Sequence, residues 1–219
     1  MLLTELPFLP SLYYCSLVYR FSDLRIEARE NYNKGSFRNK TLIKSNQGSR
    51  YLNVPLRQGK HGGVAVQEIR ISFDESWKQN LEKTLQSEYG KYPYFEIYFE
   101  DMRPMFNTDA PHYFFPMSLK LFRWILRSLE LKSPSVTAKY QADLASGILD
   151  GRDRITPAFF RQHPHLTEEQ KLDYFYFTPG HTVLEAMFAY GPEAAWLIRR
   201  YAKRMDLSWL GMDGISSVQ

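Results

Sequence analysis

The chain has 219 residues, 44% of them hydrophobic and 16% aromatic, which excludes a disordered protein and makes one core, or a core with a small helical subdomain, the expected organisation. Its 28 basic and 24 acidic residues leave a formal charge of +4, too small and too dispersed to mark a nucleic-acid binder. Cys15 stands alone and can form no intramolecular disulfide, which points to a reducing, cytoplasmic location. No apolar run approaches the roughly 18 to 20 residues that cross a bilayer. The N-terminus lacks a basic start, and Pro7 and Pro10 interrupt any secretory signal.

In chain order, a first strand leads into Pro7-Phe8-Leu9-Pro10, and Leu12, Cys15 and Tyr19 at helical spacing predict a helix over residues 11–21. Leu24, Ile26 and Ala28 alternate as one face of a second strand, and a strand, helix, strand opening implies a parallel pair. Residues 39–43 and 51–54 read as a hairpin closed by Ser45-Asn46-Gln47-Gly48. Ile69, Ile71 and Phe73 make a further strand face.

Helical patterning begins at Ser76, where Trp77, Leu81, Leu85 and Tyr89 form a stripe that Gly90 ends. A helix from near Pro93 carries Phe95, Tyr98, Phe99 and Met102 and stops before Pro104, and another runs over residues 118–131. Segment 133–164 has little periodicity and is the candidate mobile loop or lid. Thr182 and Glu185 fit a capping box, and Gly191-Pro192-Glu193 ends one helix and starts the next. The run Arg199-Arg200-Tyr201-Ala202-Lys203-Arg204 falls at a helix end, where the helix dipole favours cations whatever the function. The expected fold is α/β, with a mixed sheet, an opening strand-helix-strand unit and a β-hairpin, then a helical C-terminal half, all in one domain over residues 1–219.

Few catalytic signatures are present. The chain has no phosphate loop, no GxSxG elbow and no HExxH helix. Cys15 lies in an apolar helix pattern and reads as a core thiol. His163 and His165 flank Pro164 without a third ligand in view, so no metal site is assigned. One segment concentrates chemistry: Glu30-Asn31-Tyr32-Asn33-Lys34 followed by Arg38-Asn39-Lys40, between a strand end and the hairpin. Lys34 and Arg38 can pair with phosphate, Arg38 through a bidentate fork, and Asn31 and Asn39 can bond sugar hydroxyls or an acyl oxygen. Turn-forming asparagines in a polar hairpin approach would look the same. Aromatics interleave with charges at residues 92–98, but Glu96, Glu100 and Asp101 oppose nucleic-acid phosphate.

The run Asn31-Tyr32-Asn33-Lys34 with Arg38-Asn39 resembles the WbqC-like protein family. So do Leu9-Pro10-Ser11-Leu12-Tyr13-Tyr14, Asn53-Val54-Pro55, Trp77 with Tyr89, Pro93-Tyr94-Phe95 and Gly191-Pro192-Glu193. Glu30 before Asn31 resembles the form common in Bacteroidota, which implies a bacterial source. The resemblance implies transfer of glycine or another acyl group onto an amino sugar in O-antigen or related surface-polysaccharide biosynthesis. Its partner would be a phosphorylated or nucleotide-linked amino sugar; no cofactor is evident and the acyl donor is open. On that reading Glu30 is the nearest base and Tyr32 or Asn31 the donor to the oxyanion, with Asn31, Lys34, Arg38 and Asn39 binding substrate. One departure stands out: Leu81 occupies a position where a histidine is expected after the tryptophan. The competing class is a non-catalytic sugar-nucleotide-binding or docking protein of a polysaccharide assembly complex. More weakly, the opening is similar to nucleotidyl-transferase-like domains that place phosphate at a helix N-terminus.

Overall fold

The structure, a computed structural model, describes residues 1–57, 63–72, 76–107 and 112–211. In chain order it runs β1 (Leu2–Thr4), α1 (Leu12–Arg20), β2 (Leu24–Ile26), β3 (Lys40–Ser45), β4 (Gly48–Asn53), β5 (Leu56–Arg57), β6 (Arg70–Ile71), α2 (Ser76–Tyr89), α3 (Phe95–Met102) and α4 (Phe114–Ser128). It continues through β7 (Ser135–Val136), β8 (Leu149–Asp150), α5 (Pro157–Gln162), β9 (Gln170–Leu172), β10 (Phe175–Phe177), α6 (Leu184–Tyr190) and α7 (Glu193–Ala202). This is the α/β class that the sequence implies, with its C-terminal half mainly helical.

Four strands form a parallel sheet in the order β7-β2-β1-β8. The parallel pair β1–β2 is joined through α1, as the opening pattern requires. The antiparallel pairs β3–β4, β5–β6 and β9–β10 stand apart as three two-stranded sheets. In the β3–β4 hairpin, Ser45 pairs with Gly48 around the Asn46-Gln47 loop. Gly48 has φ +102°, a conformation that a side chain disfavours. Ile69 and Ile71 are buried as expected, while Phe73 lies outside the described residues.

α1 begins at Ser11, whose side chain accepts from Tyr14 N, and it buries residues from Leu12 to Val18, including Cys15. Burial pushes the Cys15 thiol well above its ordinary range. The stripe on α2 is buried at Trp77, Leu81, Leu85 and Tyr89. α4 starts four residues earlier than the sequence pattern suggests, because Pro116 sits inside its first turn, where no intrahelical N–H is needed. Segment 133–164 is not structureless: it supplies β7, β8 and α5. Gly191 (φ +57°) joins α6 to α7, with the Tyr94 ring so close that an added Cβ would lie 2.6 Å from it. No helix among the described residues is long and apolar enough to cross a membrane.

Candidate functional site

Parallel strands direct their carboxyl ends to one side, and ligands of open α/β sheets bind where chain connections leave in opposite directions. Here that point lies between β1 and β8: the chain moves from β1 outward to β2 and β7, then crosses to β8 on the other side of β1. The residues just past these strand ends are Glu5 after β1, Glu27 to Asn31 after β2, and Gly151 to Asp153 after β8.

Arg38 is the centre of this region and is fully buried. The fork expected of it is present, and its partner is Glu30: Nε donates to Oε1 at 2.8 Å and Nη2 to Oε2 at 2.7 Å. Nη1 donates to Asp153 Oδ1 at 2.7 Å. Burial raises the Glu30 carboxyl above its ordinary range, against the pull of Arg38.

Glu5 lies behind this pair. The Asp153 amide donates to Glu5 Oε2 at 3.0 Å and the Thr4 hydroxyl at 3.3 Å. Desolvation, partly offset by Arg38 and reinforced by Glu30 and Asp153, lifts Glu5 from its ordinary 4.5 to about 7. A carboxyl raised on folding stabilises while both states keep the proton, and that contribution is lost as pH climbs from 4.5 through 7. Stability is therefore expected to fall across this window, by on the order of 3 kcal/mol from this group. Glu5→Gln keeps the acceptor oxygen and should flatten the decline. Urea melts at pH 5, 6, 7 and 8 check this; an unchanged pH slope in the variant would remove Glu5 as its source.

A second polar cluster flanks the first. Glu27 is buried and accepts from the Thr137 hydroxyl (2.6 Å), Arg29 N (2.9 Å) and Gln141 N (3.2 Å). Arg152 holds Asp150 in a fork of two 2.9 Å bonds, lies over the Tyr140 ring and lowers the Asp150 carboxyl below its usual range. Together Arg29, Glu30, Asn31, Tyr140, Asp150, Arg152 and Asp153 line a cavity of about 410 Å³.

Of the residues singled out in the sequence, Glu30 and Asn31 reach this cavity and Arg38 lies behind its wall. The Tyr32 hydroxyl donates to Asn39 Oδ1 (2.8 Å) and Asn39 Nδ2 to Val54 O (2.9 Å), so these two brace the loop against the hairpin. Lys34 is exposed beside the Gly35 turn. The sequence reading missed Glu5, Glu27, Asp150, Arg152 and Asp153. The only local signal for the last three is a charged run after Gly147, in a segment without periodicity. The amides opening α1 are occupied: Leu12 N bonds His181 O, Tyr13 N bonds Pro179 O and Tyr14 N bonds Ser11 Oγ. The analogy with phosphate at that helix end therefore finds no open amides at these three positions. Glu185 likewise turns away from the expected capping box and onto His181.

The sheet and its crevice define an α/β protein with a polar cavity at the carboxyl ends of its parallel strands. The sequence pattern of the WbqC-like protein family matches residues 7–150, and the chain belongs to that family. No curated protein and no solved structure matches it.

Proposed function

We propose that the protein binds a phosphorylated or nucleotide-linked amino sugar in the crevice and transfers an acyl or aminoacyl group onto its amine, in bacterial surface-polysaccharide biosynthesis. The observation that carries this reading is the mixed charge of the cavity wall, where Arg29 and Arg152 stand with Glu30, Asp150 and Asp153. A ligand bearing both a phosphate and an ammonium is complementary to such a wall, whereas a plain anion would meet three carboxylates.

In this proposal Asp153, whose side chain is 45% exposed, and Glu30, joined to it through Arg38, hold the acceptor ammonium and take its proton. Asn31 orients the acyl oxygen. The exposed cation Arg29 on the cavity wall meets the phosphate, and the exposed ring of Tyr140 offers a face to the sugar. Tyr32 and Asn39 act through the loop they brace.

Thermal shift against nucleotide-linked amino sugars and their N-acetylated forms tests this. The free-amine forms should bind more tightly, and a ligand at about 100 times its dissociation constant should add roughly 2.7 kcal/mol of stability. Asp153→Asn keeps an oxygen to accept from Arg38 Nη1, so the unliganded protein should still fold while ligand binding weakens by roughly tenfold. Equal binding of the acetylated sugars would overturn the amine-acceptor role. Silence toward all sugars, with binding of a polysaccharide-assembly protein instead, would support the docking alternative.

A further inference from the structure

Away from the crevice, the β3–β4 hairpin brings a serine onto a histidine and carboxylate pair. Ser49 Oγ lies 2.8 Å from His181 Nε2, and His181 Nδ1 lies 3.1 Å from Glu185 Oε2. His181 and Glu185 are buried, at 4% and 9% exposure, while Ser49 is exposed. With the ring proton on Nδ1, that nitrogen donates to Glu185 and Nε2 accepts from the serine hydroxyl. Hydroxyl, imidazole and carboxylate in that order are the arrangement that turns a serine into a nucleophile.

The fold fixes each member. Ser45 pairs with Gly48 across the loop, and Lys44 stands opposite Ser49. Lys44 N points outward to the Tyr89 hydroxyl (3.1 Å), which makes Lys44 and Ser49 a pair without ladder hydrogen bonds between them. The Ser49 amide is thereby directed away from β3, placing an N–H donor on the same residue as the hydroxyl. His181 is pinned through its backbone, its amide on Thr178 O and its carbonyl on Leu12 N. Glu185 sits in the first turn of α6, four residues on. A buried imidazole that served only to hold α6 would need no exposed hydroxyl on its outer nitrogen, because water satisfies an exposed serine equally well.

We propose that Ser49, His181 and Glu185 form an acyl-accepting relay for activated carboxylic esters or thioesters. Ser49 Oγ attacks the carbonyl carbon as its proton passes to His181 Nε2, and the Ser49 amide faces the developing oxyanion. Collapse breaks the carbon–oxygen or carbon–sulfur bond, and its electron pair goes to the leaving atom. That atom takes the proton from Nε2 and departs as an alcohol or thiol. Water then attacks the serine ester, giving its proton to Nε2, and Oγ recovers a proton as the carboxylic acid leaves. Nothing is oxidised or reduced. Glu185 touches no reacting atom; it is a positioning residue for the imidazole.

The relay goes beyond the amino-sugar reading and is tested without any sugar, so either can fail alone. The full chain is treated with a fluorophosphonate probe, the modified residue is mapped by mass spectrometry, and release from p-nitrophenyl acetate is followed in parallel. The expected result is labelling at Ser49, absent in Ser49→Ala, with labelling and ester turnover slowed about 100-fold or more in folded His181→Gln and Glu185→Gln. Ser49→Cys adds a readout that survives loss of the buried variants: its alkylation by iodoacetamide should be faster than that of a cysteine placed at the exposed neighbour Arg50. No labelling at Ser49 in folded protein would overturn the proposal. So would labelling that Glu185→Gln leaves unchanged, or Ser49→Cys alkylation no faster than at position 50.

Discussion

Arg38→Ala is expected to lower stability by about 3 to 5 kcal/mol, the usual cost of removing one partner from a buried ion pair. The guanidinium makes three charge-assisted bonds, two to Glu30 and one to Asp153, and it opposes the desolvation of Glu5 as well. Its removal leaves the buried carboxyls of Glu30 and Glu5 without their cation. The loss should therefore depend on pH. Both carboxyls are already raised, and without the cation they rise further, so the damage should be smaller at pH 5 than at pH 8. Arg38→Lys should recover only part of the stability, because an ammonium cannot span both oxygens of Glu30 and reach Asp153. Urea unfolding at the two pH values decides the matter. A loss below about 1 kcal/mol at pH 8 would show that Arg38 is free to serve a ligand, as its residue type alone suggests.

That contrast marks the limit of what the sequence discloses. The segment from Glu30 to Asn39 is conspicuous by residue type and does border the crevice. What Arg38 does there depends on Asp153, 115 positions away, and on Glu5. Neither has a local pattern to announce it, since β1 has three residues and β8 two. The alternation at Leu24, Ile26 and Ala28 and the Asn46-Gln47-Gly48 turn were legible because strand period and turn chemistry are local properties. Ser49 and His181 lie 132 positions apart, with nothing in either neighbourhood to mark a catalytic elbow. Long-range convergence of short segments is what a single sequence hides, and both candidate sites are built from it.

The α2 stripe is the opposite case, where local pattern and burial agree, and it gives the second large expected effect. Trp77→Ala should destabilise by about 3 to 5 kcal/mol, the range for deleting a large buried aromatic side chain. Trp77 is 8% exposed and meets Phe106 edge to face, with centroids 6.4 Å apart. It heads a row in which Leu81, Leu85 and Tyr89 are each no more than 1% exposed. Tyr89 in turn packs on Phe188 of α6 and receives the Lys44 amide of β3, so the row ties α2 to the helical half and to the hairpin that carries Ser49. Leu81, standing where a histidine is expected, is part of this apolar contact. Leu81→His would thus bury an imidazole and should destabilise as well. Trp77→Phe keeps much of the ring and should recover a good part of the loss. Equilibrium urea unfolding of the three variants is the measurement. A Trp77→Ala loss below about 1 kcal/mol would mean that the indole is not part of the core, and would return it to the surface as a ring available for ligand stacking.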